Sequence, residues 1–538
     1  MVWTASTSQG YEARKIRYEV LPYLARGGLD IGCGPAKVWP HLVGIDNCRD
    51  SALFGSYIKP DLLVPDGGAL QIFSDSSAEN IFSAHLLEHI ADWHGALREW
   101  WRLLKVGGHL CLYLPHADLY PRIGQPGANP DHKHDFTPDL IIDFCSLAFP
   151  DWSLIEHQVR GDADEYSFLL VFRKETAGAG QQHPWRAPRP QKTAGLVRMG
   201  GNGDALWAAS VAAHLHDAGY SVTVYCAENG LEILKHDPHI AAFRVLPRNI
   251  LNDEESVEYW CHEAVKYDRW INLHGSVEGR LLPHQSEQSF YLPHNVRARL
   301  MDDNYVETVH CYAGLPSGAA NRQRFYPSAA EREWAVGARA KLRGPAVLLS
   351  PVGSGPFKSW PHAQEYLRIM ADWGVHVLLV GDLANLPDVE DVVIDDREYG
   401  IVVGQEWPLR LAATMALHVD AVVASESVFA NVVAMEQMPK IIMLSHSSVR
   451  NLTAGWINTA SLTAPDSVAC HPCHRIHNVA GAFCSRDTQT KGSACMASYS
   501  AETVARMTLH ALAPKHDRIR KRLAAERPAR RVESLEAA

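Results

Sequence analysis

The chain has 538 residues, 46% hydrophobic and 21% charged. That is a globular balance: it excludes a largely disordered polymer and, at roughly 150 residues per domain, predicts three to four domains. Lys and Arg number 51 against 61 Asp and Glu, a net charge of −10, so no nucleic-acid partner is expected. No run of 18 apolar residues is present, and the polar start Met1–Ser8 lacks a secretory core. A cytoplasmic location with reduced cysteines is therefore expected.

The first 175 residues alternate short apolar runs with helical patterns. Gly28–Ile31 and Leu42–Ile45 read as buried strands, followed by a strand at 80–83, a helix at 92–105 and strands at 109–114 and 167–172. Strands alternating with helices predict a mostly parallel α/β sheet. Two glycines, Gly32 and Gly34, follow the first strand directly, where a backbone without Cβ can turn sharply and approach a ligand. Asp46 ends the second strand, placed to accept hydrogen bonds from ribose hydroxyls.

Residues 27–116 resemble a class I S-adenosylmethionine-dependent methyltransferase. Asp30, Gly32 and Gly34 match the first motif of that family, and Asp46 matches its ribose-binding acid. Asp66 through Leu70 match the adenine-contacting segment, His85–Ile90 the segment after the fourth strand, and Trp101–Gly108 a turn in which Val106 replaces proline. The resemblance implies a Rossmann-like sheet and S-adenosylmethionine as cofactor, held by Asp30, Gly32, Gly34, Asp46, Asp66 and Leu70. Only eleven residues, two of them proline, separate Gly34 from Asp46, so the family's first helix must be short or lost. His116, His132 and His134 fall in the loop region after the fifth strand. They are candidates for a methyl-acceptor site, with His132-x-His134 also a metal-type spacing and hydrogen-bonded loop histidines the plainer alternative.

Residues 176–193, rich in Pro and Gly, read as a linker. Beyond it two α/β halves follow. The first, 194–340, opens with a strand, the turn Gly200–Gly203 and a helix at 204–218, with Asp204 at the helix start, then a strand at 221–226. The second, 341–514, has strands at 346–351, 375–380, 420–424 and 440–444 and a helix at 361–373. Its first strand runs into Gly353-Ser354-Gly355 with Lys358. The glycine before lysine that a Walker motif requires is missing, but backbone donors plus a point charge still suit a diphosphate. Asp382 ends the next strand, and Glu426-Ser427 ends a later one.

This set resembles the family 9 glycosyltransferases, the heptosyltransferase group with a GT-B pair of Rossmann-like lobes. Asp204 matches the family's catalytic base. Gly353, Ser354 and Lys358 match the donor-phosphate turn, Asp382 the acid near the donor ribose, and Glu426-Ser427 an Asp-Ser/Thr pair. Glu426 stands for Asp, Val428 for Gly, Asn431 for His and Ala209 for Pro. The resemblance implies an inverting transfer from a nucleotide sugar of the ADP-heptose type, with Asp204 deprotonating the acceptor.

Cys470, Cys473, Cys484 and Cys495 gather four of the eleven cysteines within 26 residues, a set able to close a tetrahedral zinc or iron site in a loop with little core of its own. The segment 515–538 is a basic tail, with eight Lys/Arg against two Asp/Glu between Lys515 and Arg531. It is either a solvated helix or a contact for an anionic membrane surface. The leading expectation is a bifunctional transferase that glycosylates and methylates a surface glycan or glycoconjugate. Two alternatives stay open: a glycosyltransferase whose first domain only positions the acceptor, and a non-catalytic nucleotide-binding scaffold.

Overall fold

The computed structural model describes residues 12–48, 60–162, 165–182, 192–247, 250–276, 292–382, 401–403, 407–474 and 484–526. The chain divides into two compact units. Unit 1 is Met1–Gln191 with Val245–Glu263; unit 2 is Lys192–Arg244 with Ala264–Ala538.

Unit 1 is built on one eight-stranded sheet. Its strands are β1 (Leu29–Ile31), β2 (Val43–Asp46), β3 (Leu62–Leu63), β4 (Ile81–Ala84), β5 (His109–Pro115), β6 (Trp152–Arg160), β7 (Ser167–Lys174) and β8 (Gln181–Gln182), in the order β3-β2-β1-β4-β5-β7-β6-β8. β1 to β5 pair in parallel, and β7 then runs antiparallel to both β5 and β6. Strands covered on both faces need unbroken apolar runs, and Leu110 to Leu114 are all fully buried. Helix α1 (Arg17–Leu24) precedes the sheet. Helix α2 (Trp93–Leu103) starts where the Asp92 carboxylate accepts the Gly95 N–H at 2.9 Å, and buries Trp93, Leu97 and Trp100. Helix α3 (Pro138–Ala148) is capped by Thr137. Strand order reverses between β1 and β4, which opens a crevice at their carboxyl ends.

The connection from β1 to β2 contains turns and bends but no helix. Instead Val38 and Trp39 are buried there, and the Val38 N–H donates to the Asp30 carboxylate at 2.7 Å. Residues 176–182, read as linker, end in β8, which pairs with β6; residues 183–191 lie outside the described set.

Unit 2 holds two sheets. The first has β9 (Thr193–Val197), β10 (Ser221–Cys226), β11 (Ala242–Val245) and β12 (Arg269–Asn272), ordered β11-β10-β9-β12. The second has β13 (Ala346–Ser350), β14 (His376–Leu379), β15 (Ile401–Val403), β16 (Ala421–Ser425), β17 (Lys440–Met443) and β18 (Thr459–Leu462), ordered β15-β14-β13-β16-β17-β18 and parallel throughout. Helix α4 (Asn202–Asp217) follows β9, and α5 (Glu228–Leu234) follows β10. One apolar core joins the sheets, running from Leu196 and Leu206 to Leu348, Phe429 and Ile442. Arg410, almost fully buried, braces it: the guanidinium donates to both Glu331 carboxylate oxygens at 2.7 and 2.8 Å and to the carbonyls of Glu232, Ile233 and Tyr326. That pairing holds the Glu331 carboxyl down at about 2.

Helix α6 (Asp253–Ala264), read from sequence as part of the first transferase lobe, groups with unit 1 up to Glu263. The reason is polar as well as apolar. Glu255 pairs with Arg17 at 2.8 Å, Glu258 accepts from the Tyr18 hydroxyl, and the Tyr259 ring lies 6.0 Å from that of Tyr18.

The basic tail forms a helix over Asp517–Ala525, where Ile519 is buried and the Arg522 guanidinium lies 4.0 Å from the Trp373 ring centroid; residues 527–538 lie outside the described set. Among the described residues no helix is long and apolar enough to cross a membrane.

Candidate functional site

In unit 1 the turn after β1 carries Gly32 at φ +76° and Gly34 at φ +56°, conformations that L side chains rarely adopt. The Gly34 N–H donates to Asp46 Oδ2 at 3.0 Å, and the Cys48 N–H donates to Asp46 Oδ1 at 2.7 Å. Asp46 thus closes the turn on itself and keeps one lone-pair site on each oxygen for a ligand. Burial pushes the Asp30 carboxyl up to about 7, with the Val38 N–H opposing. Asp66 accepts the Gly68 N–H at 2.8 Å, fixing the turn ahead of Leu70. Leu70 itself is fully buried in the core with Leu29, Ile31 and Ile45. This aliphatic side chain packs into the sheet's core.

The three candidate acceptor histidines do not converge. His116 accepts the Asp118 N–H on Nδ1 at 3.1 Å, in a local turn. His134 Nε2 lies 3.0 and 3.1 Å from the carbonyls of Ile90 and Ala91, so a backbone anchor takes its ring N–H. His132 turns toward Glu88, with its Nε2 3.9 Å from Glu88 Oε1, and burial lowers its pKa to about 4. Glu88 sits on the short turn of helix Leu87–His89 that follows β4; burial pushes its carboxyl up to about 8. Nothing in the sequence marked Glu88 as a site, beyond its place after a strand of a parallel sheet.

In unit 2 a cavity of about 550 Å³ is lined by all seven residues expected there: Asp204, Gly353, Ser354, Lys358, Asp382, Glu426 and Ser427. Each arrives from the carboxyl end of a strand. Asp204 is the third residue of α4. Its Oδ2 accepts the Gly201 N–H at 2.5 Å, and its Oδ1 pairs at 3.2 Å with Arg198, a buried guanidinium that also donates to the Leu273 carbonyl. At Gly353 a Cβ would meet the Lys358 side chain at 2.5 Å and the Glu426 carbonyl oxygen at 2.9 Å. Only glycine lets the lysine fold over this turn, and Lys358 Nζ donates to that same carbonyl at 3.2 Å.

Glu426 lies at the end of β16, buried, and meets the loop after β17. Its Oε1 accepts the N–H groups of Ser445, His446 and Ser447 at 2.8, 3.2 and 3.0 Å, and its Oε2 accepts the Ser445 hydroxyl and pairs with His446. Burial opposes ionisation, but His446, Lys358 and the backbone donors outweigh it and hold the carboxyl well below its usual range. Glu426 is thus the pin that orders the 445–447 loop beside the cavity. The Ser350 hydroxyl donates to Ser427 Oγ at 3.0 Å. Asn431 ties the sheets' helices together: Trp207 Nε1 donates to its Oδ1 at 2.9 Å, Gln323 to its carbonyl at 3.0 Å, and a Cβ on Gly203 would come within 3.0 Å of its amide. Arg198, His446 and this Asn431 network were not singled out from sequence.

The four cysteines expected to hold a metal show no ligand cluster among the described residues. Cys470 is exposed, Cys473 and Cys484 are half-buried and Cys495 is buried, and none of the eleven cysteines is disulfide-bonded. Cys495 is drawn into the core by helix Ala494–Ala497, where its thiol meets the Ser493 hydroxyl and burial pushes its pKa up to about 12.

Residues 29–112 match the family model described as a methyltransferase domain. Unit 1 carries that domain. Among solved structures the chain is similar to a glycosyl transferase family 9 protein from Veillonella parvula DSM 2008, at 14% identity over 61% of this chain and 100% of that one, TM-score 0.45. It is also similar to E. coli ADP-heptose lps heptosyltransferase II, at 17% identity over 60% and 99%, TM-score 0.42. A SAM dependent methyltransferase from Archaeoglobus fulgidus is similar at 14% identity over 30% and 95%, TM-score 0.23. No curated protein matches.

Proposed function

We propose that the chain is a two-site transferase. Unit 2 moves a glycosyl group from a nucleotide sugar of the ADP-heptose type to a hydroxyl of a glycan or glycoconjugate; unit 1 binds S-adenosylmethionine and methylates the same or a related acceptor. The observation that carries the reading is the unit 2 cavity, which sets a carboxylate at the start of α4 opposite a glycine turn and a lysine. A carboxylate has about four lone-pair sites, and Gly201 and Arg198 take two of those on Asp204. A free site accepts the acceptor's proton as its oxygen attacks the anomeric carbon. The bond from that carbon to the diphosphate oxygen breaks, and the diphosphate leaves with the electron pair, held by Lys358 and backbone N–H groups near Ser427. Inversion follows from a single displacement.

For unit 1 the methyltransferase-domain match and the closed Gly32–Gly34 turn support cofactor binding. The helix-free connection after Gly34 favours a second reading, in which unit 1 positions the acceptor without methylating it, because no helix N-terminus follows that turn. S-adenosylmethionine raising the melting temperature of unit 1 supports the first reading; no shift at saturating cofactor favours the second. For unit 2, hydrolysis of one nucleotide sugar from a panel, lost in Asp204→Asn with donor binding retained, is the expected result. An Asp204→Asn variant with full transfer activity would sink the mechanism.

A further inference from the structure

Glu88 is the most poorly satisfied acid among the described residues of unit 1. Its side chain is 0% exposed, and neither carboxylate oxygen has a hydrogen-bond partner. Burying such a group with no partner is costly, so its presence points to something that is drawn to it. Around it stand histidine nitrogens at a uniform spacing: His89 Nε2 and His132 Nε2 each lie 3.9 Å from Glu88 Oε1. The ligand atoms of Glu88, His89 and His132 all fall within 4.8 Å of one another.

We propose that Glu88, His89 and His132 bind one divalent first-row transition-metal ion. One carboxylate and two imidazoles form a donor set that zinc, iron(II) and manganese(II) all accept. Metal bonds of about 2.0–2.2 Å place tetrahedral ligands about 3.4 Å apart, so the two Glu88–histidine spacings of 3.9 Å need close by only about half an ångström. The outer contacts are also of the kind a metal site needs. His89 Nδ1 faces the Asp131 carbonyl at 3.2 Å, an outer contact that orients the ring. The Lys133 N–H donates to the Glu88 carbonyl at 2.8 Å, pinning the loop that carries His132 against the turn that carries the acid. His89 is 30% exposed and gives the ion a way in, while His132 is 6% exposed and closes the far side.

The second cluster of such residues, His216, Asp217 and His239, differs on each count. His216 and Asp217 are more than half exposed, and Asp217 is consumed by Arg322. The Glu88 site also lies against the cofactor turn, since a Cβ on Gly32 would meet the Leu86 side chain at 2.8 Å. A metal there, with coordination positions to spare, would orient an acceptor oxygen. That role rests on the methyl-transfer reading; the metal site itself does not.

The test uses the full chain, stripped with chelator and titrated with Co²⁺ and Zn²⁺. The expected result is visible cobalt d–d bands without a thiolate charge-transfer band, and a Zn²⁺-dependent rise in melting temperature. Glu88→Gln, close to isosteric, should weaken binding by at least about 100-fold. His132→Ala should do the same, and a Cys473→Ser/Cys484→Ser double variant should leave the d–d bands unchanged. Two results would overturn the proposal: no cobalt bound by the folded wild-type chain, or cobalt bound with thiolate bands and unaffected by Glu88→Gln. If His132→Ala fails to fold, Glu88→Gln alone decides. Metal binding without methylation would retain the site and overturn only the reading of unit 1.

Discussion

Glu88 in unit 1 and Glu426 in unit 2 are both buried glutamates that follow a parallel strand with a histidine close by, and their pKa values shift in opposite directions. Burial raises Glu88 to about 8, with no side-chain donor in hydrogen-bond range; Glu426 is held well below the usual range by His446, Lys358 and three backbone N–H groups. Burial is common to both and favours the neutral form in both. What differs is the number of donors brought by the neighbouring loop, which for Glu426 is Ser445–Ser447 and for Glu88 is none. Donor count, not depth, decides whether such an acid orders its surroundings or awaits a ligand.

The comparison can be broken in several ways. The largest effect is expected at Glu426→Ala, which strands His446, Lys358 and three N–H groups; removing one partner of a buried pair costs about 3–5 kcal/mol. Urea unfolding of unit 2 measures it, and a cost under about 1 kcal/mol would mean the donors are satisfied without the acid. Arg410→Met removes the ion pair from Glu331 and the donor from three carbonyls, and should cost about 3 kcal/mol by the same measurement.

Asn431→Ala, which loses the Trp207 and Gly203 contacts but keeps the backbone acceptor for Gln323, should cost about 1–2 kcal/mol. Glu88→Gln in metal-free protein should be neutral or stabilising by up to about 1 kcal/mol, since it removes an unsatisfied acid. A loss as large as that of Glu426→Ala would erase the distinction between the two sites.

A further effect is a pH slope. Asp30 is raised from 3.8 to about 7 on folding. Its contribution to stability is therefore fully present below pH 3.8 and is lost as pH rises to about 7. Asp30→Asn should flatten the fall in unit 1 melting temperature between pH 4 and 7, and an unchanged slope would place the titration elsewhere.

Much of the fold was legible in the sequence because parallel strands buried on both faces are unbroken apolar runs: 109–114, 346–351 and 440–444 sit where those runs predicted. β6 escaped because half of it is only partly buried and its Glu-His-Gln stretch reads as polar. The unit 2 residues were legible because each follows a strand and each type states its chemistry. Asn431, Arg198 and His446 were not, because their meaning lies in partners scattered along the chain: Trp207 and Gln323, Asp204 and Leu273, Glu426. Proximity along the chain says nothing of depth: Cys495 is buried beside Ser493 while Cys470 is exposed.

The excursion of Val245–Glu263 into unit 1 has a genetic consequence. The chain enters unit 1, leaves it, returns for α6 and leaves again, so no single cut divides the coding sequence into two self-sufficient genes. A fragment ending at 191 would lack the helix that pairs Arg17 and covers Tyr18, and a fragment starting at 192 would carry that helix without its seat. Recombination that swapped one unit for a relative's would have to exchange two separate stretches at once.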